Sequence, residues 1–342
     1  MKVLFYSNRS YDKLSFRGTI ESDNYTNLDI TYIESSLNEQ TVEMAKGYDA
    51  VCIFVNDNGS TNIVKRLHEL GVKVIALRCV GYNNVDYKTA NELGMTVIRV
   101  PGYSPESIAE HAMTLALSVN RHIHKAYTRV RDNNFSLTGL SGFCLHGKTA
   151  GIVGYGKIGK CMANICKGFG MKVIAYDPYF KPQNENDTTE SVDLDTLYKE
   201  SKFIFLTTVL NDSTYHMINE ESIRKMQKNV ILVNVSRGGL IDTEALIKCI
   251  KEDAELKPED RTFFGIGLDV YEGEDDNVYT NHEDDILMNC ITSRLLSFPN
   301  IIITSHQAFL TDVALLEIST QTCYNLDNAD KEKEIPAYYI VK

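Results

Sequence analysis

The sequence Gly154-Tyr155-Gly156-Lys157-Ile158-Gly159, followed by Asp177, decides the fold. The glycines of this segment, the glycine loop, have the spacing G-x-G-x-x-G. The apolar run 150–153 before the loop is typical of a strand, and residues 160–169 after it are typical of a helix. A second apolar run, 171–176, ends directly before Asp177. This strand–turn–helix–strand order predicts a dinucleotide site, because the glycines let the backbone approach a pyrophosphate and the helix N-terminus offers free N–H groups.

The acidic residue after the second strand indicates which dinucleotide is bound. Asp177 would accept hydrogen bonds from the adenosine ribose hydroxyls and would repel a 2′-phosphate, so the sequence predicts NAD (NADH) and not NADP. The position of the glycine loop is also informative. Such a loop usually lies near the start of its domain, so the long segment before residue 154 predicts another domain.

Composition limits the classes of partner. The chain of 342 residues is long enough for two domains, and its formal net charge of -11 disfavours nucleic acid and anionic membranes as partners. Its apolar runs are too short for a signal peptide or a membrane span. The eight cysteines include no C-x-x-C pair, which favours reduced thiols in a cytoplasmic protein. Since no cluster of His, Cys and Asp has the spacing of metal ligands, no metal is predicted.

Segments typical of strands and helices alternate along the first hundred residues, which predicts an α/β domain with a parallel sheet. The predicted strands are 3–6, 30–33, 50–55, 72–77 and 96–100, and the predicted helices are 41–46, 61–70 and 87–93. A long helix opens at Ser104 and Pro105 and runs to about Arg121; it is a candidate subunit interface. Further strands are predicted after the glycine loop at 203–208, 230–235, 264–270 and 301–304.

Three polar residues that follow predicted strands are candidates for catalysis: Arg237, Glu274 and His306. In open parallel sheets, ligands bind beyond the carboxyl ends of the strands. Hydride transfer between NAD and a 2-hydroxy acid needs a cation, an acid–base group and a carboxylate that orients this group, and these residue types suit the three roles. Each also has a structural interpretation: a salt-bridge partner for Arg237, a satisfied imidazole for His306, and a solvated acidic loop with Asp275 and Asp276 for Glu274. The other seven histidines are interpreted as structural.

Further motifs cover almost the whole chain. They are 52–57, 77–81, 99–105, 147–151, 167–171, 235–238, 268–272 and 306–311. With these motifs the chain resembles the D-isomer-specific 2-hydroxyacid dehydrogenases and, within them, the fermentative NAD-dependent D-lactate dehydrogenases of bacteria. The resemblance implies two doubly wound parallel-sheet domains with a cleft between them. A flavodoxin-like substrate domain would comprise 1–101 and 299–342, and a Rossmann NAD domain would be inserted as 102–298, which explains the late glycine loop.

The resemblance also implies a role for each candidate residue. His306 would give a proton to the pyruvate carbonyl oxygen, Glu274 would pair with His306, and Arg237 would bind and polarise the substrate. Further substrate contacts would come from the backbone N–H groups of Val80 and Gly81 and from Tyr103 and Phe309. The implied cofactor contacts are Gly154, Gly156, Lys157, Ile158, Gly159, Asp177, Thr208, Val209, Thr214, Val235, Ser236 and Asp269.

The implied activity is the NADH-dependent reduction of pyruvate to D-lactate. Two alternatives remain open: the same chemistry on a larger 2-oxo acid such as 2-oxoglutarate, or a non-catalytic NAD sensor like the corepressors that share this fold. The expected partners are a small 2-oxo or 2-hydroxy acid and further copies of the chain, as a homodimer or homotetramer.

Overall fold

The structure, a computed structural model of the chain, describes residues 1–274, 278–288 and 290–342. These residues divide into two compact units. The first unit consists of Met1–Ser104 and Leu310–Lys342, and the second unit consists of Pro105–Phe309. Asp275 and Asp276, which the sequence analysis assigned to an acidic loop, lie outside the described residues.

The described residues of the first unit form a parallel sheet of five strands. These are β1 (Lys2–Phe5), β2 (Asp29–Tyr32), β3 (Ala50–Ile53), β4 (Val74–Leu77) and β5 (Thr96–Arg99). Their order, β2-β1-β3-β4-β5, is that of a flavodoxin-like doubly wound sheet. Every residue of β3 and β4 is buried, as expected for central parallel strands that are covered on both faces.

The helices of the first half of the chain differ from the prediction in two places. The structure contains α1 (Ser10–Ser22), α2 (Thr61–Glu69) and α3 (Tyr87–Glu92). The sequence analysis did not predict α1, because only Asp12, Phe16 and Thr19 are buried in it and these give little apolar periodicity. The predicted helix 41–46 is a short 3₁₀ turn, Val42–Ala45.

The second unit is built on a seven-stranded parallel sheet in its described residues. Its strands are β6 (Thr149–Val153), β7 (Lys172–Tyr176), β8 (Glu190–Ser191), β9 (Phe203–Leu206), β10 (Val230–Asn234), β11 (Phe263–Leu268) and β12 (Ile301–Ile303). The order β12-β11-β10-β9-β6-β7-β8 is the doubly wound dinucleotide-binding order with β12 added at one edge. The prediction of an α/β chain with two doubly wound parallel sheets is therefore confirmed.

Helices cover both faces of this sheet. They are α4 (Pro105–Asn120), α5 (Ile123–Arg131), α6 (Lys157–Gly168), α7 (Leu194–Glu200), α8 (Glu220–Lys225), α9 (Thr243–Ala254) and α10 (Cys290–Leu296). Successive strand residues point to opposite faces, so Ile204 and Leu232 pack among α7 to α10, whereas Phe205 and Val233 pack among α4 and α6. This two-sided burial fixes the register of the strands, whose carboxyl ends carry the candidate site residues.

Helix α4 lies unusually close to β11. A Cβ atom built on Gly267 would lie 2.9 Å from Cβ of Leu115, and one built on Gly265 would overlap Val119. The missing side chains at these two glycines therefore let α4 rest directly on the strand.

The chain returns to the first unit through α11 (Asp312–Asp330), which packs on α1. The Ser15 hydroxyl donates to the Leu315 carbonyl at 2.9 Å, and the hydroxyls of Thr19 and Ser319 lie 2.7 Å apart. Among the described residues, no helix combines the length and the apolar character needed to cross a membrane.

The chain passes from one unit to the other after Ser104 and after Phe309. The predicted domain boundaries were 101/102 and 298/299. The larger difference concerns 299–309, which the prediction assigned to the split domain and which lie in the second unit. The reason is that β12 pairs with β11, with Ile301 opposite Ile266, and so extends the seven-stranded sheet. His306 therefore belongs to the second unit.

Candidate functional site

The glycine loop makes a tight turn at the carboxyl end of β6. Gly154 has φ +95, and a Cβ atom there would lie 2.7 Å from the backbone N and Cα of Thr208. A Cβ on Gly159 would overlap the Gly154 carbonyl oxygen. Since these neighbours are backbone atoms, only glycine allows this turn to pack against the segment that follows β9.

The end of the glycine loop is open where a cofactor would lie. Helix α6 begins after Gly156, and no side chain caps it. Among the described residues, no protein atom accepts a hydrogen bond from the N–H groups of Lys157, Ile158 or Gly159. A Cβ on Gly156 would meet no atom within 4 Å. Free donors and empty space at the N-terminus of a twelve-residue helix fit the pyrophosphate of a dinucleotide.

Asp177 lies beside the loop, at the carboxyl end of β7. Its Oδ2 accepts a hydrogen bond from the Tyr155 N–H at 2.7 Å, and its Oδ1 accepts one from the Tyr179 N–H at 2.8 Å. The carboxylate is half-buried, and each oxygen can accept more than one hydrogen bond. Asp177 can therefore brace the loop and still bind ribose hydroxyls.

A polar cluster that the sequence analysis missed fastens the segment after Asp177. The Tyr155 hydroxyl lies 2.8 Å from both Asp187 Oδ2 and Thr189 Oγ1, and the Tyr155 ring stacks on Phe180. Burial raises the pKa of Asp187, but hydrogen bonds from Lys167 and its other neighbours outweigh burial and hold this pKa well below its usual value. The cluster links this segment to the glycine loop. No residue spacing in the sequence predicts the cluster.

We expect Asp177→Ala to raise the Kd of NADH about 10-fold, because a hydrogen bond to a charged group contributes about 1.5–3 kcal/mol. The preference for NADH over NADPH should narrow, since the carboxylate would no longer repel a 2′-phosphate. Fluorescence titration with both cofactors measures this ratio. Asp195→Ala, at an exposed aspartate on α7, is the matched control and should change neither Kd. An unchanged NADH/NADPH ratio in Asp177→Ala would exclude the ribose assignment.

Five further predicted cofactor contacts follow β9 or β10, which are neighbours in the sheet: Thr208, Val209, Thr214, Val235 and Ser236. The Ser236 hydroxyl donates to the Thr208 carbonyl, which joins the two strand ends. Val209 is exposed and its carbonyl accepts the Thr214 hydroxyl at 2.7 Å, whereas Val235 is buried. The structure thus brings these five residues to the edge of the sheet that carries the glycine loop, and their contacts with the cofactor stay predictions.

Arg237 follows β10 in a braced turn. The Asn234 side chain donates to the Arg237 carbonyl at 2.9 Å, and Arg237 Nη1 donates to the Ser236 carbonyl at 2.6 Å. No further protein acceptor for the guanidinium is found within the described part of the chain. The half-buried side chain therefore keeps donors for an anionic or carbonyl ligand.

Glu274 and His306 form a pair, although 32 residues separate them in sequence. Glu274 Oε1 lies 3.0 Å from His306 Nδ1, and both side chains are only partly exposed, at 12% and 21%. They meet because each follows one of two adjacent parallel strands, β11 and β12. Since Nδ1 faces the carboxylate, Nε2 is the nitrogen left to exchange a proton with a substrate.

The backbone at His306 is in the left-handed region, with φ +50, which is costly for a residue with a side chain. Two hydrogen bonds of 2.9 Å hold it there. Its N–H donates to the Asp269 carbonyl, and the Tyr279 hydroxyl donates to the His306 carbonyl. This fixed backbone determines where the imidazole points.

Asp269 organises the turn that carries His306. Its carboxylate is buried and accepts hydrogen bonds from the Thr304 hydroxyl at 2.5 Å and from the N–H groups of Gln307 and Ala308. His111 of α4 lies 3.2 Å from the same carboxylate. Burial raises the pKa of Asp269, but the hydrogen bonds from His111 and Thr304 outweigh it and lower this pKa below 3.8. Its stabilising effect is therefore present above pH 3.8 and is lost only as the pH falls through the lowered pKa.

The sequence analysis missed the supporting roles of His111 and Tyr279. A lone histidine on a helix gives no spacing signal, and only the position of α4 over the strand ends shows that His111 reaches Asp269. The predicted cofactor contact of Asp269 stays a prediction; in the structure its carboxylate accepts hydrogen bonds from Thr304, Gln307 and Ala308.

The remaining predicted substrate residues are divided between the two units. Val80, Gly81 and Tyr103 belong to the first unit, and Phe309, which is buried, belongs to the second. Arg99 Nη1 donates to the Val80 carbonyl at 3.0 Å, which braces this segment. Neither the Val80 nor the Gly81 N–H donates to a protein acceptor in the part of the chain that the structure describes. Two consecutive free donors fit a carboxylate.

Comparison with known proteins agrees with this geometry. Residues 113–308 match the family described as D-isomer specific 2-hydroxyacid dehydrogenase, NAD binding domain. The D-lactate dehydrogenase of Escherichia coli is 44% identical over 336 residues, which cover 98% of this chain and 99% of that protein. Its apo-structure superimposes with a TM-score of 0.88 and covers both chains completely.

Two further solved structures are similar. The pyruvate reductase of Chlamydomonas reinhardtii is 39% identical, covers 98% of each chain and has a TM-score of 0.90. The D-lactate dehydrogenase of Lactobacillus jensenii, solved with NAD⁺, is 28% identical, covers both chains completely and has a TM-score of 0.81. The cofactor NAD(H) that the glycine loop predicts is thereby confirmed. The match to the family and the near full-length identity lead to one conclusion: the chain belongs to the D-isomer specific 2-hydroxyacid dehydrogenases.

Proposed function

We propose that the chain catalyses the reversible, NADH-dependent reduction of pyruvate to D-lactate. The observation that carries this proposal is the 3.0 Å pair of Glu274 and His306 in the unit that also holds Arg237 and the glycine loop. Pyruvate as the substrate is supported by relatives that match almost the whole chain and are named D-lactate dehydrogenase and pyruvate reductase.

The residues divide the reaction into binding, polarisation and proton transfer. Bound NADH supplies the hydride. Arg237 binds the substrate and polarises its 2-oxo group through donors that no described protein atom uses. His306 Nε2 donates a proton to the 2-oxo oxygen, and Glu274, 3.0 Å from Nδ1, orients the imidazole. In the reverse direction the same imidazole takes the proton from the 2-hydroxyl group.

The substrate carboxylate is proposed to bind the adjacent N–H groups of Val80 and Gly81. The lining of the side-chain pocket is proposed to come from Tyr103 and Phe309. A lining of two aromatic rings would favour the methyl of pyruvate over the longer chain of 2-oxoglutarate.

A steady-state panel of 2-oxo acids with NADH tests this function. Pyruvate should give the highest kcat/KM, ahead of 2-oxobutyrate, 4-methyl-2-oxopentanoate and 2-oxoglutarate. If pyruvate is among the poorest substrates, the lactate assignment fails and a larger 2-oxo acid replaces it. If no 2-oxo acid is turned over at micromolar enzyme, the non-catalytic NAD sensor replaces the enzyme.

The chain is further proposed to form a homodimer or homotetramer. Helix α5 has no buried residue. Residues 130–139, which begin at the end of this helix and continue beyond it, are all exposed. Large apolar side chains are at least half exposed there: Ile123, Tyr127, Val130, Phe135 and Leu137. Several exposed large apolar side chains within one short stretch of the chain support an interface between copies.

Light scattering after gel filtration tests the oligomer. The wild type should elute with the mass of two or four chains, and the double variant F135S/L137S should lose part or all of this assembly. A monomeric wild type would overturn the proposal.

The cytoplasm is the proposed compartment. Burial raises the pKa of the Cys166 thiol to about 12, so this thiol stays protonated and unreactive at neutral pH. A buried thiol of this kind is compatible with a reducing compartment.

A further inference from the structure

A second histidine–carboxylate pair lies in the second unit, apart from Glu274 and His306. His216 Nε2 is 2.6 Å from Glu272 Oε1, and both side chains are about three-quarters buried. Two further groups lie beside the His216 ring. Tyr215 stacks on the His216 ring at 3.9 Å, and Asp242 Oδ2 lies 4.0 Å from Nδ1. The mechanism above uses none of these groups.

On one side His216 is attached to the segment that follows Arg237. The His216 N–H donates to the Gly239 carbonyl at 2.9 Å, two residues after Arg237. The next contact along the chain is the Ile218 N–H, which donates to the Leu240 carbonyl at 3.0 Å. The His216 backbone is left-handed, with φ +51, so its ring direction is set by a strained and bonded backbone.

On the other side the ring holds the segment that carries Glu274. Glu272 lies two residues before Glu274, and its second oxygen, Oε2, accepts the Thr243 N–H at 3.0 Å. The two segments also touch directly, because a Cβ on Gly238 would lie 2.6 Å from the Glu272 backbone N. His216 is thus bonded to the residues beside the catalytic cation and to those beside the catalytic carboxylate.

We propose that His216 is a positioning residue. Through its bonds to Gly239 and Glu272, it fixes the position of Arg237 relative to Glu274. This inference rests on the proposed function of those two residues. The ring does not reach the substrate. Its loss lets the Glu272 segment shift relative to the Arg237 segment, and small displacements of catalytic groups lower the rate without removing any reacting group.

The test compares His216→Phe, His216→Gln and Glu272→Gln in the full-length protein. Phenylalanine keeps the stacking on Tyr215 but loses the bond to Glu272, and glutamine keeps a side-chain N–H donor. We expect His216→Phe to lower kcat with pyruvate about 10-fold, as misplaced catalytic groups do. The KM for NADH should change less than about 2-fold, because the variant removes neither the glycine loop nor the bond of the Thr214 hydroxyl to the Val209 carbonyl. His216→Gln should recover most of the lost kcat.

Three results would overturn the positioning role: an unchanged kcat in His216→Phe, equal losses in His216→Phe and His216→Gln, or effects of H216F and E272Q that multiply in the double variant. One shared interaction instead predicts a double variant no slower than the worse single variant. His68→Phe, at an exposed histidine on α2, is the matched control and should keep the wild-type kcat.

Failure of the proposed function gives a different result. In that case the wild-type protein itself does not reduce pyruvate, and the comparison is repeated on the best 2-oxo acid of the panel; if none is reduced, both proposals are overturned.

Discussion

Replacing His306 with glutamine should lower kcat for pyruvate reduction by ~10²-fold or more, the usual loss when a general acid is removed. Glutamine is similar in size and can still hydrogen-bond to Glu274 Oε1, which lies 3.0 Å from the present imidazole. It cannot, however, give up a proton to the 2-oxo oxygen. Steady-state rates at saturating NADH and pyruvate measure the effect.

The Kd of NADH and the melting temperature should stay near those of the wild type, because His306 is bonded to neither the glycine loop nor the core of the sheet. His68→Gln provides a histidine-to-glutamine control on the exposed face of α2. If His306→Gln keeps most of its activity, another group transfers the proton and His306 loses its catalytic role.

Replacing Arg237 with lysine should lower kcat/KM for pyruvate by ~10²-fold, since two charge-assisted hydrogen bonds of a planar fork are lost while the charge is kept. That ratio corresponds to about 2.7 kcal/mol of transition-state stabilisation. Lysine is an informative substitution at this position. One Arg237 donor binds the Ser236 carbonyl, and no other described protein atom accepts from the guanidinium, so its remaining donors are available to a ligand.

The control for this variant is Arg224→Lys, at an arginine of α8 whose ion pairs with Glu220 and Glu252 are exposed. Exposed ion pairs contribute little, so kcat/KM should not change there. A value for Arg237→Lys close to the wild type would show that charge alone suffices and that the fork binds no substrate oxygen.

The sequence contains enough to predict the parallel α/β architecture and to select candidate residues at strand ends. The glycine loop lies between two apolar runs, and the rule that ligands bind at carboxyl strand ends selected Glu274 and His306 as candidates. Their pairing was implied only by the family resemblance, and the structure places them 3.0 Å apart. The sheet that a strand joins is less predictable. Residues 301–304 were predicted as a strand but assigned to the split domain, because pairing with β11 is a long-range contact that three apolar residues do not encode.

Supporting residues are the least visible in sequence. His111 and His216 were interpreted as structural, and a single histidine carries no periodicity that would show its partner. Their partners, Asp269 and Glu272, come from a strand end far along the chain, so only folding makes the pairs visible. Motifs therefore identify the groups that react, whereas the groups that hold them in place appear only with the tertiary structure.

The close contact of α4 with β11 has a consequence for sequence variation in this family. Leu115 occupies the space in which a side chain at Gly267 would lie, and Val119 occupies the corresponding space at Gly265. The combined volume of the two side chains in each pair is therefore limited. A larger residue at either glycine requires a smaller one on the helix, and a change at one position alone would push α4, with His111, away from Asp269. We therefore expect residues 115 and 267, and residues 119 and 265, to vary together among relatives, although none of the four is a proposed substrate or cofactor contact.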